Sequence, residues 1–267
     1  MPELPEVQTV VTTLSSHVVG KKIRKVLHVR RDMITPDGFD FAAAIKGRTI
    51  ESLTRRGKRI VFALDDANRF FIHLGMSGKL TAESAKAPIL PHTHLIVDLG
   101  QSRQLRFRDP RRFGEIRWLG PTVGDEKMGP EPLAMRVSQL AAKLKKTKRA
   151  IKNALMDQNV IAGLGNIYVD ESLFAAGINP LTLASDLDED AIRRLTKSIK
   201  STLRRAIRHR GSTLRDYVDA NGAAGRFKRL HRVYGRKGEP CAKCKTPIER
   251  IVLGGRSTCF CPRCQPL

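Results

Sequence analysis

Aromatic residues are scarce in this chain of 267 residues: they make up 5% of it, with one Trp and three Tyr. This scarcity argues against a surface on which successive bases of single-stranded nucleic acid stack. No run of about 18 apolar residues is present, so we expect no membrane-spanning helix. The first residues, MPELPEVQTV, contain acids and prolines where a signal peptide has a basic and then an apolar segment. We therefore expect a cytoplasmic protein.

Acidic residues are outnumbered as well, with 26 Asp+Glu against 49 Lys+Arg and a formal net charge of +23. Such a charge repels itself unless an anionic partner is bound, and nucleic acid is the most abundant polyanion in a cytoplasm. A basic proteome or a ribosomal protein would produce a similar composition. With 41% hydrophobic residues the chain is not disordered, and its length predicts two lobes with separate cores.

The hydrophobic pattern of the first half of the chain changes from helical spacing to short β runs. One apolar helical stripe, ended by Gly20, predicts an N-terminal helix: Val7, Val10, Val11, Leu14 and Val18. Short β runs separated by turn residues follow, at 60–64, 70–74, 95–99, 105–107 and 116–119. These runs predict an antiparallel β-sandwich. The Pro- and Gly-rich stretch 120–132 is then predicted to be an interdomain linker.

A long amphipathic helix is predicted in the second half of the chain. We place its N-cap at Ser185, with Asp188 three residues on, and its end at Gly211. Its apolar face consists of Ile192, Leu195, Ile199, Leu203, Ala206 and Ile207. The fold class is therefore α+β with two lobes. We predict three domains: a β-sandwich at 1–131, a helical domain at 132–232 and a cysteine-bearing tail at 233–267.

Four of the five cysteines form two CxxC pairs, Cys241/Cys244 and Cys261/Cys264, with sixteen residues between them. This spacing is typical of a four-thiolate zinc site, although two disulfides are the alternative that a reducing cytoplasm disfavours. Four thiolates leave no open coordination position, so we expect one structural Zn²⁺ per chain. Cys259 is then a free thiol. Zinc and charge alone would equally suit a non-catalytic DNA-binding module.

The N-terminus offers a reactive group. Pro2 follows Met1, and a small second residue favours removal of the initiator, which would leave a secondary amine. An α-amino group has a pKa near 8 against about 10.4 for Lys, so it is neutral far more often at neutral pH. A neutral amine can attack a sugar C1′, and Glu3 or Glu6 could act as general acid or base. The alternative is an ordinary terminus in which proline begins a helix.

Several motifs occur in an order that resembles one known family, the bacterial formamidopyrimidine-DNA glycosylases. They are MPELPEV at the N-terminus, HLGMSG at 73–78, DPRRFG at 109–114, GLGNIY at 163–168 and the tail from VYGRKGEPC at 233–241 to Cys264. The resemblance covers essentially the whole chain. It implies an N-terminal β-sandwich, a helix–two-turn–helix lobe and a zinc-finger β-hairpin, with DNA in the cleft between the lobes.

The resemblance also implies roles for individual residues. Pro2 would be the nucleophile that forms a Schiff base, Glu3 would transfer protons at the sugar, and Lys58 would contact phosphate near the lesion. Arg256, in the zinc hairpin, would donate a proton in the last elimination. Three positions match residues that contact DNA: His92, Lys152 and Asn166. Three more match residues that fill the gap left by a flipped base: Met76, Arg111 and Phe113.

Leu4 stands where endonuclease VIII-like relatives typically have Gly, in PEGPE, which favours oxidised purines over oxidised pyrimidines. The segment 219–227 occupies the lesion-capping loop, and Arg226 stands where an aromatic residue is common. Ser77 is at a position that varies, and Glu6 fits a packing or capping role as well as a catalytic one. The alternatives are an endonuclease VIII-like pyrimidine glycosylase and a non-enzymatic, zinc-stabilised lesion-binding protein.

The sequence thus predicts a bifunctional DNA glycosylase/AP lyase of base excision repair. It would remove 8-oxoguanine and formamidopyrimidines from damaged double-stranded DNA and cut the strand by β,δ-elimination. We expect a monomer in a bacterial cytoplasm, associated with the nucleoid through DNA binding.

Overall fold

The computed structural model describes residues 1–121 and 127–267. Contacts divide the chain into an N-terminal unit, Met1–Asp125 with Arg210–Arg226, and a zinc-bearing unit, Glu126–His209 with Phe227–Leu267. The predicted domains, with boundaries at 131 and 232, are consecutive stretches of chain, whereas each unit of the structure combines two separate stretches. The structure groups 210–226 with the N-terminal unit because hydrogen bonds join it to the first helix. The predicted linker, 120–132, includes residues 122–126, which lie outside the described residues.

The N-terminal unit begins with the predicted helix and continues with short strands. Its elements in chain order are α1 (Leu4–Val18), β1 (Lys25–Val29), β2 (Ile34–Thr35), α2 (Phe41–Ile45), β3 (Ile50–Arg56), β4 (Arg59–Leu64), β5 (Arg69–His73), β6 (Lys79–Ser84), β7 (Thr93–Gly100), β8 (Arg103–Arg108) and β9 (Glu115–Gly120). The predicted β runs correspond to β4, β5, β7, β8 and β9. The apolar stripe of α1 is buried along its whole length.

These strands form two sheets around one core, which confirms the β-sandwich. The four-stranded sheet has the order β1-β7-β8-β6, and the five-stranded sheet has the order β2-β9-β5-β4-β3. Neighbouring strands are antiparallel except for the short pair β2 and β9, which is parallel. Residues of both sheets and of α1 share the core, among them Leu14, Phe62 and Phe107.

The zinc-bearing unit is mainly helical. It contains α3 (Val137–Leu144), α4 (Ile151–Met156), α5 (Asn166–Ala176), α6 (Glu189–Arg208), β10 (Glu249–Leu253) and β11 (Arg256–Phe260). Helix α6 is the predicted amphipathic helix, but the predicted cap at Ser185 is wrong. Asp188 is the N-cap, and its carboxylate accepts the N–H of Ala191 at 2.6 Å. Ser185 instead lies in a short 3₁₀ turn and donates to Asp186 at 2.9 Å.

Strands β10 and β11 form the predicted hairpin, in which Leu253 pairs with Arg256 across a turn of two glycines. Of the helices in the two described stretches of the chain, none has the length and hydropathy required to cross a bilayer. The mixture of sheets and helices confirms the α+β class.

Candidate active site and zinc centre

The α-amino group of Met1 lies among charged side chains of the N-terminal unit. Burial lowers the pKa of this amine, the carboxylates of Glu3 and Glu6 raise it, and the cations of Lys58 and Arg111 lower it again. Because these charges act only at short range in water, they mark the neighbours of the amine. Three residues predicted from the sequence, Glu3, Lys58 and Arg111, therefore act electrostatically on the start of the chain.

Pro2 and Glu3 are buried directly before α1, and the fold holds this segment by its backbone. The N–H of Glu3 donates to Glu6 Oε2 at 2.8 Å, which is one half of a capping box. The N–H of Ser212 donates to Glu6 Oε1 at 2.7 Å. Both carboxylate oxygens of Glu6 therefore bind backbone N–H groups, and this geometry supports the packing and capping role.

Lys58 occupies the turn between β3 and β4 and is only 7% exposed. Burial lowers the pKa of the nearby His73 imidazole, and the positive charge of Lys58 adds to this effect. The ammonium of Lys58 thus lies close to both the N-terminal amine and His73. A lysine ammonium carries the charge with which a phosphate pairs, and the DNA contact of Lys58 stays a prediction.

The residues predicted to enter DNA are exposed on loops of the N-terminal unit. Met76, between β5 and β6, is 43% exposed, and Phe113, between β8 and β9, is 54% exposed. The guanidinium carbon of Arg111 lies 4.5 Å from the centre of the Phe113 ring. His92 is exposed just before β7, and its carbonyl accepts the N–H of Asp109 at 3.0 Å. The fold therefore places these predicted residues around the same pair of loops.

Lys152 is enclosed within the zinc-bearing unit. Its side chain is 0% exposed, and its ammonium donates to Asp170 Oδ1 at 2.7 Å and to the carbonyl of Ser257 at 2.9 Å. The ammonium is thus enclosed by protein groups in the structure without DNA, and the DNA contact of Lys152 stays a prediction. Its charge is used inside the zinc-bearing unit, where it joins α4, α5 and β11.

Asn166 and Arg256 lie beside this buried pair. Asn166 is the first residue of α5, and its amide nitrogen donates to the carbonyl of Ser257 at 2.9 Å. Arg256, the residue directly before Ser257, begins β11 and is exposed. Since Lys152 and Asn166 both hold Ser257, the backbone that carries Arg256 is fixed from two helices.

The four predicted zinc ligands meet at one place. Their sulfur atoms all lie within 4.8 Å of one another, with 3.9 Å between Cys241 and Cys264 and 3.4 Å between Cys244 and Cys261. Tetrahedral zinc with bonds of about 2.3 Å requires sulfur atoms about 3.8 Å apart. The residues present therefore fit a single structural Zn²⁺. Cys259, in β11, is buried in the same small core but is not one of the four grouped sulfur atoms.

Sequence reasoning missed the buried acids that support both sites. Asp109 is 0% exposed at the base of the Phe113 loop, and Asp170 and Glu171 are buried in α5. Glu171 accepts the backbone N–H groups of Arg232, Val233 and Tyr234 at 2.9–3.0 Å. One signal was available, since two adjacent acids interrupt the otherwise largely apolar helix sequence NIYVDESLFAA.

Family models match the chain in three consecutive segments. The N-terminal domain of formamidopyrimidine-DNA glycosylase matches residues 1–116, and the H2TH domain of the same family matches residues 128–218. The zinc finger found in FPG and IleRS matches residues 238–267. Together these segments include nearly every site residue discussed above.

Relatives and solved structures agree with the family models. The formamidopyrimidine-DNA glycosylase of Geobacillus kaustophilus is 44% identical over 99% of this chain and 100% of its own length. A Lactococcus lactis FPG mutant, crystallised with Fapy-dG containing DNA, is 36% identical over 100% of both chains, with a TM-score of 0.92. MutM (FPG) from Thermus thermophilus is 38% identical over 99% of this chain and 98% of its own, with a TM-score of 0.88. The chain therefore belongs to the formamidopyrimidine-DNA glycosylase family.

Proposed function

We propose that this protein is a bifunctional DNA glycosylase/AP lyase that removes 8-oxoguanine and formamidopyrimidines from duplex DNA. The observation that carries the proposal is the buried start of the chain, where Pro2 and Glu3 lie directly before α1 and burial lowers the pKa of the adjoining Met1 amine. Complexes of relatives support the substrate class: the L. lactis protein was crystallised with Fapy-dG and with abasic-site DNA, and a MutM with carbocyclic 8-oxo-G.

The first step uses the amine of Pro2 after Met1 has been removed. The neutral amine adds to C1′ of the damaged nucleotide, the bond from C1′ to the base breaks, and its electron pair leaves with the base. Glu3, buried at the same place, transfers protons at the sugar and the departing base. Lys58 binds the phosphate beside the lesion. The amine proton is then lost, and the C1′–O4′ bond of the sugar breaks as O4′ takes up a proton. The product is a ring-opened iminium that joins protein and DNA.

The iminium then makes strand cleavage possible. It withdraws electrons from C2′, so a C2′ proton is lost and the 3′ phosphate leaves in β-elimination. A second elimination releases the 5′ phosphate, and Arg256, exposed at the start of β11, donates a proton in this step. We assign Asn166 and His92 to the DNA backbone. The Zn²⁺ held by the four cysteines shapes the hairpin that carries Arg256 and takes no part in bond breaking.

A base in a duplex must leave the stack before C1′ can be attacked, and Met76, Arg111 and Phe113 have the chemistry to fill the space it leaves. A flexible Met and a flat Phe occupy the gap, while the Arg111 guanidinium has donors for the base that has lost its partner. The net charge of +23 provides affinity for DNA of any sequence.

Borohydride trapping tests the proposed nucleophile. We expect a covalent protein–DNA adduct on duplex with 8-oxoguanine opposite cytosine, and β,δ-elimination products when borohydride is omitted. Pro2→Gly should lose most of the adduct, whereas Glu3→Gln should slow base excision by about 100-fold or more. Mass spectrometry of the same sample should show that Met1 is absent.

A form with an uncleaved N-terminal extension is the matched control, because it keeps Pro2 but turns its nitrogen into an amide. It should bind the duplex and form no adduct. Equal trapping by Pro2→Gly and the unaltered protein would refute the assigned nucleophile. Much faster cleavage of thymine glycol duplex would instead identify a pyrimidine glycosylase, and binding without any adduct would identify a lesion-binding protein.

A further inference from the structure

Two exposed loops carry the residues assigned to base replacement: the Met76 loop, residues 74–78, and the Phe113 loop, residues 109–114. Because Met76 and Phe113 are exposed, no apolar packing holds their side chains in place in the free protein. Their positions depend on the backbone of the two loops. Beneath these two loops lies one enclosed carboxylate, Asp109, which is 0% exposed.

The carboxylate of Asp109 binds two residues of the Phe113 loop and one residue of the Met76 loop. Asp109 Oδ2 accepts the N–H of Gly114 at 2.7 Å, and Oδ1 accepts the N–H of Arg111 at 3.3 Å. The hydroxyl of Ser77 donates to the same Oδ1 at 2.6 Å. Hydrogen bonds to an ionised acceptor are among the stronger ones in proteins.

Ser77 is the bridge between the two loops. While its hydroxyl donates to Asp109, its oxygen accepts the N–H of Arg111 at 3.2 Å. Ser77 directly follows Met76, and its side chain is buried although that of Met76 is exposed. One hydroxyl thus connects the backbone next to Met76 with the backbone of Arg111.

The two loops are also in direct backbone contact. Gly75 has a φ of +61°, and a Cβ there would lie 2.4 Å from the carbonyl carbon of Phe113. A ring nitrogen of His94 lies 2.9 Å from the carbonyl oxygen of Asp109, which ties the base of the Phe113 loop to β7. The pair of loops is therefore held by contacts from several directions and by one shared carboxylate.

We propose that Asp109 and Ser77 are positioning residues that join the Met76 loop and the Phe113 loop into one rigid block. Met76, Arg111 and Phe113 then enter the duplex together when the damaged base leaves, and neither Asp109 nor Ser77 touches DNA. The proposal rests on the proposed function, because it assigns a role within base replacement. It predicts that loosening the block slows base flipping while the chemistry at C1′ is retained.

The test compares two substrates that differ only in the need for base replacement. One is an intact duplex with 8-oxoguanine opposite cytosine, and the other has a one-nucleotide gap opposite the lesion, so there is no orphaned base to contact. Single-turnover excision is measured for the unaltered protein, Ser77→Ala and Asp109→Asn. Ser84→Ala is the matched control, since Ser84 is an exposed serine of the same unit whose hydroxyl accepts only a local N–H.

Because small misplacements of positioned groups cost large factors in rate, we expect Ser77→Ala to lose about tenfold on the intact duplex and less than about threefold on the gapped one. Asp109→Asn should lose more on the intact duplex, since an amide nitrogen facing the N–H of Gly114 or the hydroxyl of Ser77 cannot accept. Ser84→Ala should match the unaltered protein on both. Equal losses on the two substrates would indicate a merely structural role and overturn the proposal.

Folding is checked by thermal unfolding, and if Asp109→Asn does not fold, Ser77→Ala alone decides the result. The failure of the proposed function has a different signature, because the unaltered protein would then excise the base from neither substrate. An unaltered protein that is active on both substrates, with an unchanged ratio in Ser77→Ala, would refute the positioning role and leave the proposed function in place.

Discussion

Asp109 in the N-terminal unit and Asp170 in the zinc-bearing unit are both buried carboxylates, but they are stabilised by different partners. Asp109 accepts hydrogen bonds from a hydroxyl and from backbone N–H groups, all of which are neutral. Asp170 binds the ammonium of Lys152 at 2.7 Å and the N–H of Cys259 at 2.9 Å. The first carboxylate organises two exposed loops, and the second joins two helices to the zinc hairpin.

The difference shows which kind of support each site requires. Neutral donors around Asp109 keep a loop shape without burying a second charge. The Lys152–Asp170 pair buries two charges, and burial raises the pKa of Asp170 to about 6 while Lys152 acts in the opposite direction. A buried pair contributes little net stability, yet removal of one partner leaves the other uncompensated. The same substitution should therefore have unequal effects at the two sites.

The largest effect is expected for Asp170→Asn. It leaves the ammonium of Lys152 buried without a counter-charge, so the free energy of unfolding should fall by about 3–5 kcal/mol. Urea unfolding of the zinc-loaded protein measures this loss. Adding Lys152→Met removes the uncompensated charge and should recover a large part of it. A loss below about 1 kcal/mol for the single variant would mean that the pair is solvated in solution.

Asp109→Asn should have a smaller effect on stability. It keeps the shape of the side chain and leaves no charge unpaired, but one donor around it loses its acceptor, which costs about 2 kcal/mol. The same urea experiment gives the comparison with Asp170→Asn directly. Equal losses at the two sites would contradict the distinction between neutral and charged partners. Asp109→Asn should nevertheless clearly slow single-turnover excision from the intact duplex, even though its effect on the free energy of unfolding is the smaller of the two.

The smallest effect is a pH dependence from His231, which is 8% exposed between the rings of Phe227 and Tyr234. Burial lowers the pKa of His231 to about 4. Since the unfolded chain then binds the proton more readily, stability should fall as pH drops from about 6.5 towards 4, by about 1 kcal/mol between pH 7 and pH 5.5.

His231→Gln is the control for this pH dependence, because it keeps a planar polar side chain and cannot take up a proton in this range. Its unfolding free energy should change less between pH 7 and pH 5.5 than that of the unaltered protein. The same slope in both proteins would assign the acid sensitivity to other groups, for example to the half-buried His73, whose pKa is also lowered by burial.

Features with a local period were predictable from the sequence. The apolar stripe of α1, the short β runs and the CxxC spacing each depend on residues close together in the chain, and the structure confirms all three. The fold class follows from them. The cap of α6 was placed one turn too early because Ser185 and Asp188 are both good capping residues, and only the surrounding turn decides between them.

Long-range pairs were not predictable. Nothing in the sequence shows that Lys152 meets Asp170, eighteen residues away, or that both reach the strand at Ser257 and Cys259. The resemblance suggested a DNA contact for Lys152, and the fold adds an ion pair with Asp170 that the sequence did not indicate. Ser77 is a similar case, because its partner Asp109 lies in another loop 32 residues along the chain.

The bond between Glu6 and Ser212 joins residues 206 positions apart, so it has a consequence for synthesis on the ribosome. Helix α1 leaves the exit tunnel early, but the segment 210–226 that fixes Glu6 is translated only near the end of the chain. The amine on which the proposed chemistry depends therefore gains its final surroundings late, when most of the protein has already been made. A truncated nascent chain thus carries the N-terminal residues without the hydrogen bond that Ser212 donates to Glu6.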